Sequence, residues 1–399
     1  MDSDSRKEQL VDPISMEELE RRWKATRQIM KDEGIDFLII QNNNDYLGGY
    51  VKWFTDISAF ESYPVTVIFP VADEMTYISH GSSDPQKVGP AAWTLRGVKK
   101  RISNPIMLSV RYTCAYQAEA VVEELKGYGK CRLSFVNEGA IPAGFTQYVR
   151  EHLTGATFVD ITEKIDYIKA IKSPEEIEKI RYTAYIHDQA MKACLAAIEP
   201  GIREFEVAAI VKFKCAMMGS PQQFALMGSS PAGTPFPRTN PIAAMNRQLR
   251  YGDQLGLLIE AAGSSGLWTH LYRIICIGKK TDELQQNFEV AKELEALTAD
   301  MLKPGADPME IVDTANEFLR TRGYPEEARL FAHGQGYDLV ERPSFQPGET
   351  MKIEAGMNIG IHPWIVSEKA CGRICDNYIV KEKGPAECLS LTAREIFVV

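Results

Sequence analysis

Three of the six histidines in this 399-residue chain, His270, His333 and His362, fall in its strand-rich C-terminal part. His333 sits in Ala-His-Gly-Gln-Gly, where the glycines let a backbone or a ligand approach closely. His362 ends an apolar run, residues 357–361, directly before Pro363. His270 belongs to the stretch 252–278, GDQLGLLIEAAGSSGLWTHLYRIICIG. There an apolar run at 255–259 ends in Glu260, a small-residue turn spans 261–266, and Trp268, His270, Tyr272 and Ile274 follow at period two. Two strands joined by a Gly/Ser turn predict a hairpin with Trp268, His270 and Tyr272 on one face. A carboxylate near the end of one strand and a histidine in the next can converge on one point. The run 372–380 presents Arg373, Cys375 and Asn377 on one face and Ile374, Asp376 and Tyr378 on the other. Imidazole, thiolate and carboxylate are the ligands of zinc and of non-haem iron. A lone histidine is more often an ordinary core or surface residue, and His80, His152 and His187, which lack such companions, are read that way.

The elements that must position these groups follow from the hydrophobic pattern. Residues 16–33 form a charged amphipathic helix stopped by Gly34, and 35–41 read as a buried strand. Strand-like runs at 65–69, 75–78, 131–136 and 156–160 alternate with helical stretches at 115–125 and 144–153, the pattern of an α/β layer domain. Ser173, Pro174 and Glu176 form a capping box that opens a long helix ending at Pro200-Gly201. A helix at 204–218 follows, then a Gly/Pro/Ser-rich segment, 219–241, read as a functional loop or lid. After the hairpin come helices at 281–302 and 308–322, then short strands at 331–336, 351–353, 357–362 and 372–380.

At 45% hydrophobic the chain can bury a large core and divides into two domains. A net charge of -9 without any basic, aromatic-interleaved run argues against nucleic acid as a partner. The eight cysteines form no CxxC pair and read as reduced core thiols. No segment approaches the ~18 continuous apolar residues of a spanning helix, and MDSDSRKEQL lacks an apolar leader core. The expectation is a cytoplasmic protein without a membrane partner.

The order of these segments resembles the creatinase/prolidase superfamily of pita-bread enzymes, which includes methionine aminopeptidase, aminopeptidase P, prolidase, creatinase and ectoine hydrolase. The opening helix with IDFLIIQNNNDYLGGY is similar to the family's N-terminal domain, and KAIKSPEEIEKIRYTA to the start of its catalytic domain. HGQGYDLVERP, GMNIGIHP and GRICDNYIV are similar to its three C-terminal catalytic strands. The resemblance implies an α/β N-terminal domain over residues 1–165, followed by an α+β pita-bread (creatinase/aminopeptidase-like) domain over 166–399. It also implies a homodimer in which the partner's N-terminal domain closes the site.

The peptidases of that family hold two metal ions with two Asp, one His and two Glu. By the resemblance, the first Asp falls at Glu260 and the second at His270, counted from Gly266 and from Arg273. The family His is kept as His333. The Glu before Pro is replaced by His362, and the Glu before Asp by Cys375. The peptidases' second catalytic His is Val340 here, although Glu341 remains. Their other substrate-binding His would fall near residues 238–240 and is missing, as is the creatinase His of that loop. The Glu that creatinase carries just before the hairpin Arg is Tyr272. One reading is a decayed site, leaving a metal-free enzyme or a binding protein. The other is a rebuilt site, because every replacement can itself bind metal. Neutral imidazoles cannot offset the charge of two ions as bridging carboxylates do. The expectation is therefore one divalent ion, zinc or iron, on His270, His333 and His362, with Cys375 or Glu260 as an anionic or outer partner.

Such an ion with an open position can activate water or polarise a carbonyl or amidine carbon. Glu260 or Glu341 would serve as general base, and Tyr272, Arg273 or Arg373 would bind an anionic group. Arg273 has a plainer role as a hairpin buttress, and Tyr272 as core. Phe236 and Arg238, within residues 227–241, would shape the pocket. Creatinase and ectoine hydrolase cleave C–N bonds in small polar molecules, and another branch performs a lyase reaction on a sulfonium compound. The resemblance thus implies hydrolysis of a C–N bond in a small non-peptide substrate. A lyase or oxygenase using the same metal, an Xaa-Pro dipeptidase and a non-catalytic binding protein are the alternatives.

Overall fold

A computed structural model describes residues 11–42, 49–58, 63–81, 94–104, 115–236 and 246–399. The chain divides into two units, residues 13–169, and residues up to 12 together with 170–399. A helix not expected from the sequence, Thr162–Ala170, runs up to this division.

The first unit is built on α1 (Met16–Glu33), capped by Ser15 and ended by Gly34 at φ 64°, a left-handed turn that favours glycine. Then come β1 (Phe37–Asn42), α2 (Tyr50–Thr55), β2 (Val65–Pro70), β3 (Met75–His80), β4 (Val98–Asn104), α3 (Ala115–Leu125), β5 (Arg132–Val136), α4 (Ala143–His152), β6 (Thr157–Phe158) and α5 (Thr162–Ala170). The strands form one mixed sheet in the order β4-β3-β2-β1-β5-β6. Ala118, Val121, Phe145 and Val149 of α3 and α4 pack on Ile39, Ile68, Leu133 and Phe135. β4 escapes hydropathy because it is a half-exposed edge strand, and its Lys99, Lys100 and Arg101 suit an edge that must not pair further.

The second unit opens with α6 (Pro174–Ala197), whose Ser173–Glu176 capping box forms as expected, and α7 (Glu204–Met217). β7 (Gln223–Pro231) comes next and corrects the loop expected at 219–241. Its small and polar residues hide a strand that pairs with β8 (Asp253–Ala262) over its whole length and buries Ala225 and Met227 under the helices. β8 and β9 (Trp268–Cys276) make the predicted hairpin, and every residue of both is buried. Leu255, Leu257, Ile259 and Leu271 face α6 and α7, whereas Leu258, Tyr272 and Ile274 face the opposite core. α8 (Asp282–Met301) and α9 (Pro308–Thr321) cover that core.

The remaining strands are β10 (Ala332–Gly334), β11 (Glu341–Ser344), β12 (Asn358–Ile361), β13 (Trp364–Val366), β14 (Cys371–Arg373), β15 (Asp376–Ile379), β16 (Glu387–Cys388) and β17 (Phe397–Val398). They give a five-stranded sheet, β11-β10-β12-β15-β16, a β13-β14 ribbon, and β17 on the edge of the hairpin sheet. The single strand expected at 372–380 is broken between β14 and β15, where Cys375 bridges to Tyr272 on the hairpin. The strand expected at 351–353 is absent. Met351 and Ile353 are buried, but the Ile353 backbone pairs with Gly305 and Ala306 in the turn between α8 and α9. Among the described residues no helix is long and apolar enough to cross a membrane. The cysteines described are all unpaired, and all but Cys388 are buried.

Behind the hairpin, His187 of α6 is buried with Nδ1 3.2 Å from the Thr269 hydroxyl. Burial pushes its pKa down from 6.5 to about 4. The unfolded chain then binds the extra proton between those values, so stability is complete above pH 6.5 and is lost as pH falls toward 4. The full loss is about 3 kcal/mol at ~1.4 kcal/mol per tenfold in proton affinity. Urea titrations across this range are expected to show a shallower pH slope for His187→Gln than for the wild type. Equal slopes would contradict the assignment.

Candidate metal centre

The strand register places the site. His333 on β10 lies beside Gly360 on β12, and Gly360 lies beside Asn377 on β15, so the three form one row across the sheet. His362, two residues beyond Gly360, shares its face by strand alternation. β9 crosses this row and is stitched to it by Trp268 N–H to Gly336 O and Tyr272 N–H to Cys375 O. The His270 ring thereby rests on Gly360, where a Cβ would come within 2.1 Å of its Cε1. That is why the position is glycine: the absent side chain is the space the imidazole fills.

The three rings meet at centroid distances of 5.5 Å (270–333), 5.5 Å (270–362) and 5.2 Å (333–362). One nitrogen from each lies within 4.8 Å of the other two, and all three residues are buried. His333 Nδ1 faces the Gly334 carbonyl at 2.8 Å and must donate, leaving Nε2 with its lone pair. His270 Nδ1 faces the Asn377 side-chain oxygen at 2.8 Å, and its buried Nε2 has no partner among the described residues. His362 Nδ1 is likewise buried and unpartnered. Burial pushes all three imidazoles below the usual pKa, and for His270 and His362 the neighbouring histidines add to the effect. The rings are therefore neutral at pH 7, with lone pairs free for a ligand. Unpartnered nitrogens this deep are a cost unless something binds them. Three neutral donors converging within reach of one cation remove it, so the residues fit a single divalent ion.

Cys375 and Glu260 lie outside that trio of donors. The Cys375 sulfur is 3.1 Å from His270 Nδ1, on the ring edge already occupied by Asn377. Burial holds the thiol well above its usual pKa. Since Asn377 fixes the proton on Nδ1, that nitrogen cannot take the thiol proton, which argues against a Cys–His nucleophile. Glu260 stands directly opposite His270 across the hairpin ladder. Burial raises its pKa to about 7 against the pull of Arg373, and Gln335 Nε2 approaches it at 3.5 Å.

The other expected residues separate. Arg273 is not at the site: it is wholly buried, pairs with Asp376 and caps the carbonyls of Tyr272, Cys375, Thr392 and Ala393. Glu341 forms a buried ion pair with Lys172 at 2.7 Å, packed over Gly336, and is not a free base. Tyr272 is buried beside Gly256, which is also the neighbour of Phe236. Arg373 lies over the Tyr272 ring at 4.6 Å and the Trp364 ring at 5.5 Å, and its Nε has no hydrogen-bond partner among the described residues. Arg238 lies outside the described residues.

The sequence profile of metallopeptidase family M24 matches residues 178–382, half of the chain. The chain belongs to metallopeptidase family M24. It is 28% identical over 266 residues to an Xaa-Pro dipeptidase of Pyrococcus furiosus, covering 65% of this chain and 74% of that protein. To an uncharacterized peptidase of Bacillus subtilis it is 24% identical, over 67% and 75% of the two chains. The structure matches the prolidase of Pyrococcus horikoshii with a TM-score of 0.76 at 20% identity, covering 94% of this chain and 100% of that one. It matches an X-Pro aminopeptidase of Thermotoga maritima with a TM-score of 0.78 at 18% identity, over 94% and 99%. The pita-bread fold expected from the sequence is thus the fold observed.

Within this fold the chain brings three imidazoles together: His333, where a histidine was expected, and His270 and His362, where the resemblance implied acidic ligands. Four contributors escaped the sequence reading. Gly360 makes room for His270, Trp364 helps to hold Arg373, and the side-chain amides of Gln335 and Asn358 meet Asn377 in the core. The available signal is three amides in or next to short strands of the core, where an unpaired amide is costly.

Proposed function

We propose that this M24 protein is a hydrolase that binds one divalent ion, zinc or iron(II), through His270, His333 and His362. On this reading it cleaves a C–N bond in a small polar molecule carrying an anionic group. The observation that carries the reading is the convergence of three buried neutral imidazoles, joined by no carboxylate among the described residues, a donor set for one ion and not for a bridged pair. A bound ion would supply Lewis acidity to a carbonyl or amidine carbon and to water.

The protein's own groups do the rest. Glu260, with a pKa near 7, can accept a proton and return it to a leaving nitrogen around neutral pH. The Arg373 guanidinium lies over the rings of Tyr272 and Trp364. Its unpartnered Nε suits a carboxylate that takes two parallel hydrogen bonds. Phe236 closes the apolar wall beside Tyr272. Glu341, engaged by Lys172, keeps a structural part.

Removing Arg373 tests the anion subsite. Arg373→Gln is expected to raise KM for the anionic substrate about 10- to 100-fold, the worth of ~1.5–3 kcal/mol for hydrogen bonds to charge. Metal content should not change. An unaltered KM would remove Arg373 from substrate binding.

A peptidase reading draws on the Xaa-Pro dipeptidase relatives. The two readings part in one assay of the protein loaded with zinc or iron(II), offered Xaa-Pro dipeptides and small amides or amidines bearing a carboxylate. Turnover of the small compounds alone is expected, and rapid dipeptide hydrolysis would overturn the proposal. A homodimer belongs to the same reading, and light scattering at the mass of two chains is the expected result.

A further inference from the structure

Gln335, Asn358 and Asn377 are buried side by side beneath the histidines, at 0%, 1% and 2% exposure. Each amide has its orientation fixed by a backbone group with only one hydrogen-bonding role. The His270 backbone N–H, a donor only, lies 2.9 Å from one terminal atom of Asn377, which must be the oxygen. The Asn377 NH2 then donates to Gln335 Oε1 at 2.9 Å and to Asn358 Oδ1 at 2.9 Å. The Asn358 NH2 faces the carbonyls of Trp268 and Gln335 at 3.3 and 3.2 Å, which can only accept. The Gln335 NH2 faces the Leu339 carbonyl at 3.0 Å, so it cannot be turned round either. No member can flip without setting like against like.

One atom is left to choose, and it has no choice. His270 Nδ1 lies 2.8 Å from the same Asn377 oxygen, so it must carry the proton, and Nε2 must carry the lone pair. Resting on the metal reading above, we propose that Gln335, Asn358 and Asn377 are positioning residues that lock His270 in its Nδ1–H tautomer and present Nε2 to the metal centre. A neutral amide does this without adding negative charge beside the centre, as a carboxylate partner would. The relay is specific to His270, because among the described residues His333 takes its tautomer from the Gly334 carbonyl.

The test reads the metal-free protein first. In 15N-histidine-labelled chain, long-range 15N–1H spectra distinguish the two imidazole tautomers, with His270 assigned by its disappearance in His270→Gln. The wild type is expected to show a single Nδ1–H form at His270. Asn377→Leu should give mixed tautomers there, leave His333 unchanged, and weaken zinc binding about 10- to 100-fold, the usual effect of losing a ligand's hydrogen-bond partner. Asn358→Leu keeps the Asn377 contact but removes one of its two anchors, so a smaller loss is expected. An Nε2–H form in the wild type would overturn the proposal, as would an unmixed Nδ1–H form in Asn377→Leu with wild-type zinc affinity. Lower thermal stability with an unaltered His270 pattern would mean that the amides are only structural, which also overturns it. A protein that binds no metal yet shows the locked tautomer would refute the metal reading and leave the lock standing.

Discussion

Arg273→Ala is expected to lower the unfolding free energy by about 3–5 kcal/mol, the cost of leaving buried charge without its partner. Arg273 has no exposed atoms to compensate through solvent, and it meets Asp376 with one nitrogen 2.9 and 3.2 Å from the two carboxylate oxygens. Its other donors satisfy four backbone carbonyls, those of Tyr272 and Cys375 at the bridge and of Thr392 and Ala393. Asp376 and Glu295 are both fully buried, and burial already pushes both carboxyls above their usual pKa. Arg394, the other cation of this cluster, pairs mainly with Glu295. Without Arg273 the carboxyls would take up protons to survive in the core, so the destabilisation should shrink as pH is lowered. Urea unfolding at neutral and at mildly acidic pH checks both parts. A loss below about 1 kcal/mol, the range of an exposed pair, would contradict this account.

Gly360→Ala is the mildest change in chemistry with the largest expected effect on the site. The new Cβ would lie 2.1 Å from His270 Cε1 and 2.6 Å from Nε2, so the ring must leave its place. Overpacking of this kind costs ~1–3 kcal/mol. The ring's movement should weaken metal binding about 100-fold, while near-wild-type circular dichroism is kept. Titration with zinc against a competing chelator measures the affinity directly. Wild-type affinity in this variant would mean that His270 does not sit where the register places it.

The fold was legible because its signals are local. Ser173-Pro174 with Glu176 announced α6, the Gly/Ser turn at 261–266 announced the hairpin, and alternation put His270 and Tyr272 on one face. Elements that break the hydrophobic rule were missed for the same reason. β7 is small and polar, and β4 is a charged edge, so neither shows a strand's apolar period. At the site, residue types named the three histidines correctly as companions, since imidazoles at matching strand positions are rare by accident. What the sequence could not give was the ring edge each neighbour approaches. Cys375 reaches His270 from the Nδ1 side, where a ligand to the shared centre would not stand. Arg273 and Arg373 look alike as isolated residues in strands, yet the core satisfies one completely and leaves the other with an unpartnered nitrogen. Only three-dimensional pairing separates them.

The central claim, one ion on three imidazoles, is tested most directly by elemental analysis of the purified protein beside His270→Ala and His333→Ala. Roughly one equivalent of zinc or iron per chain is expected, lost in both variants, because binding depends on the complete set of donors. Protein that is free of metal and still turns over its substrate would contradict it.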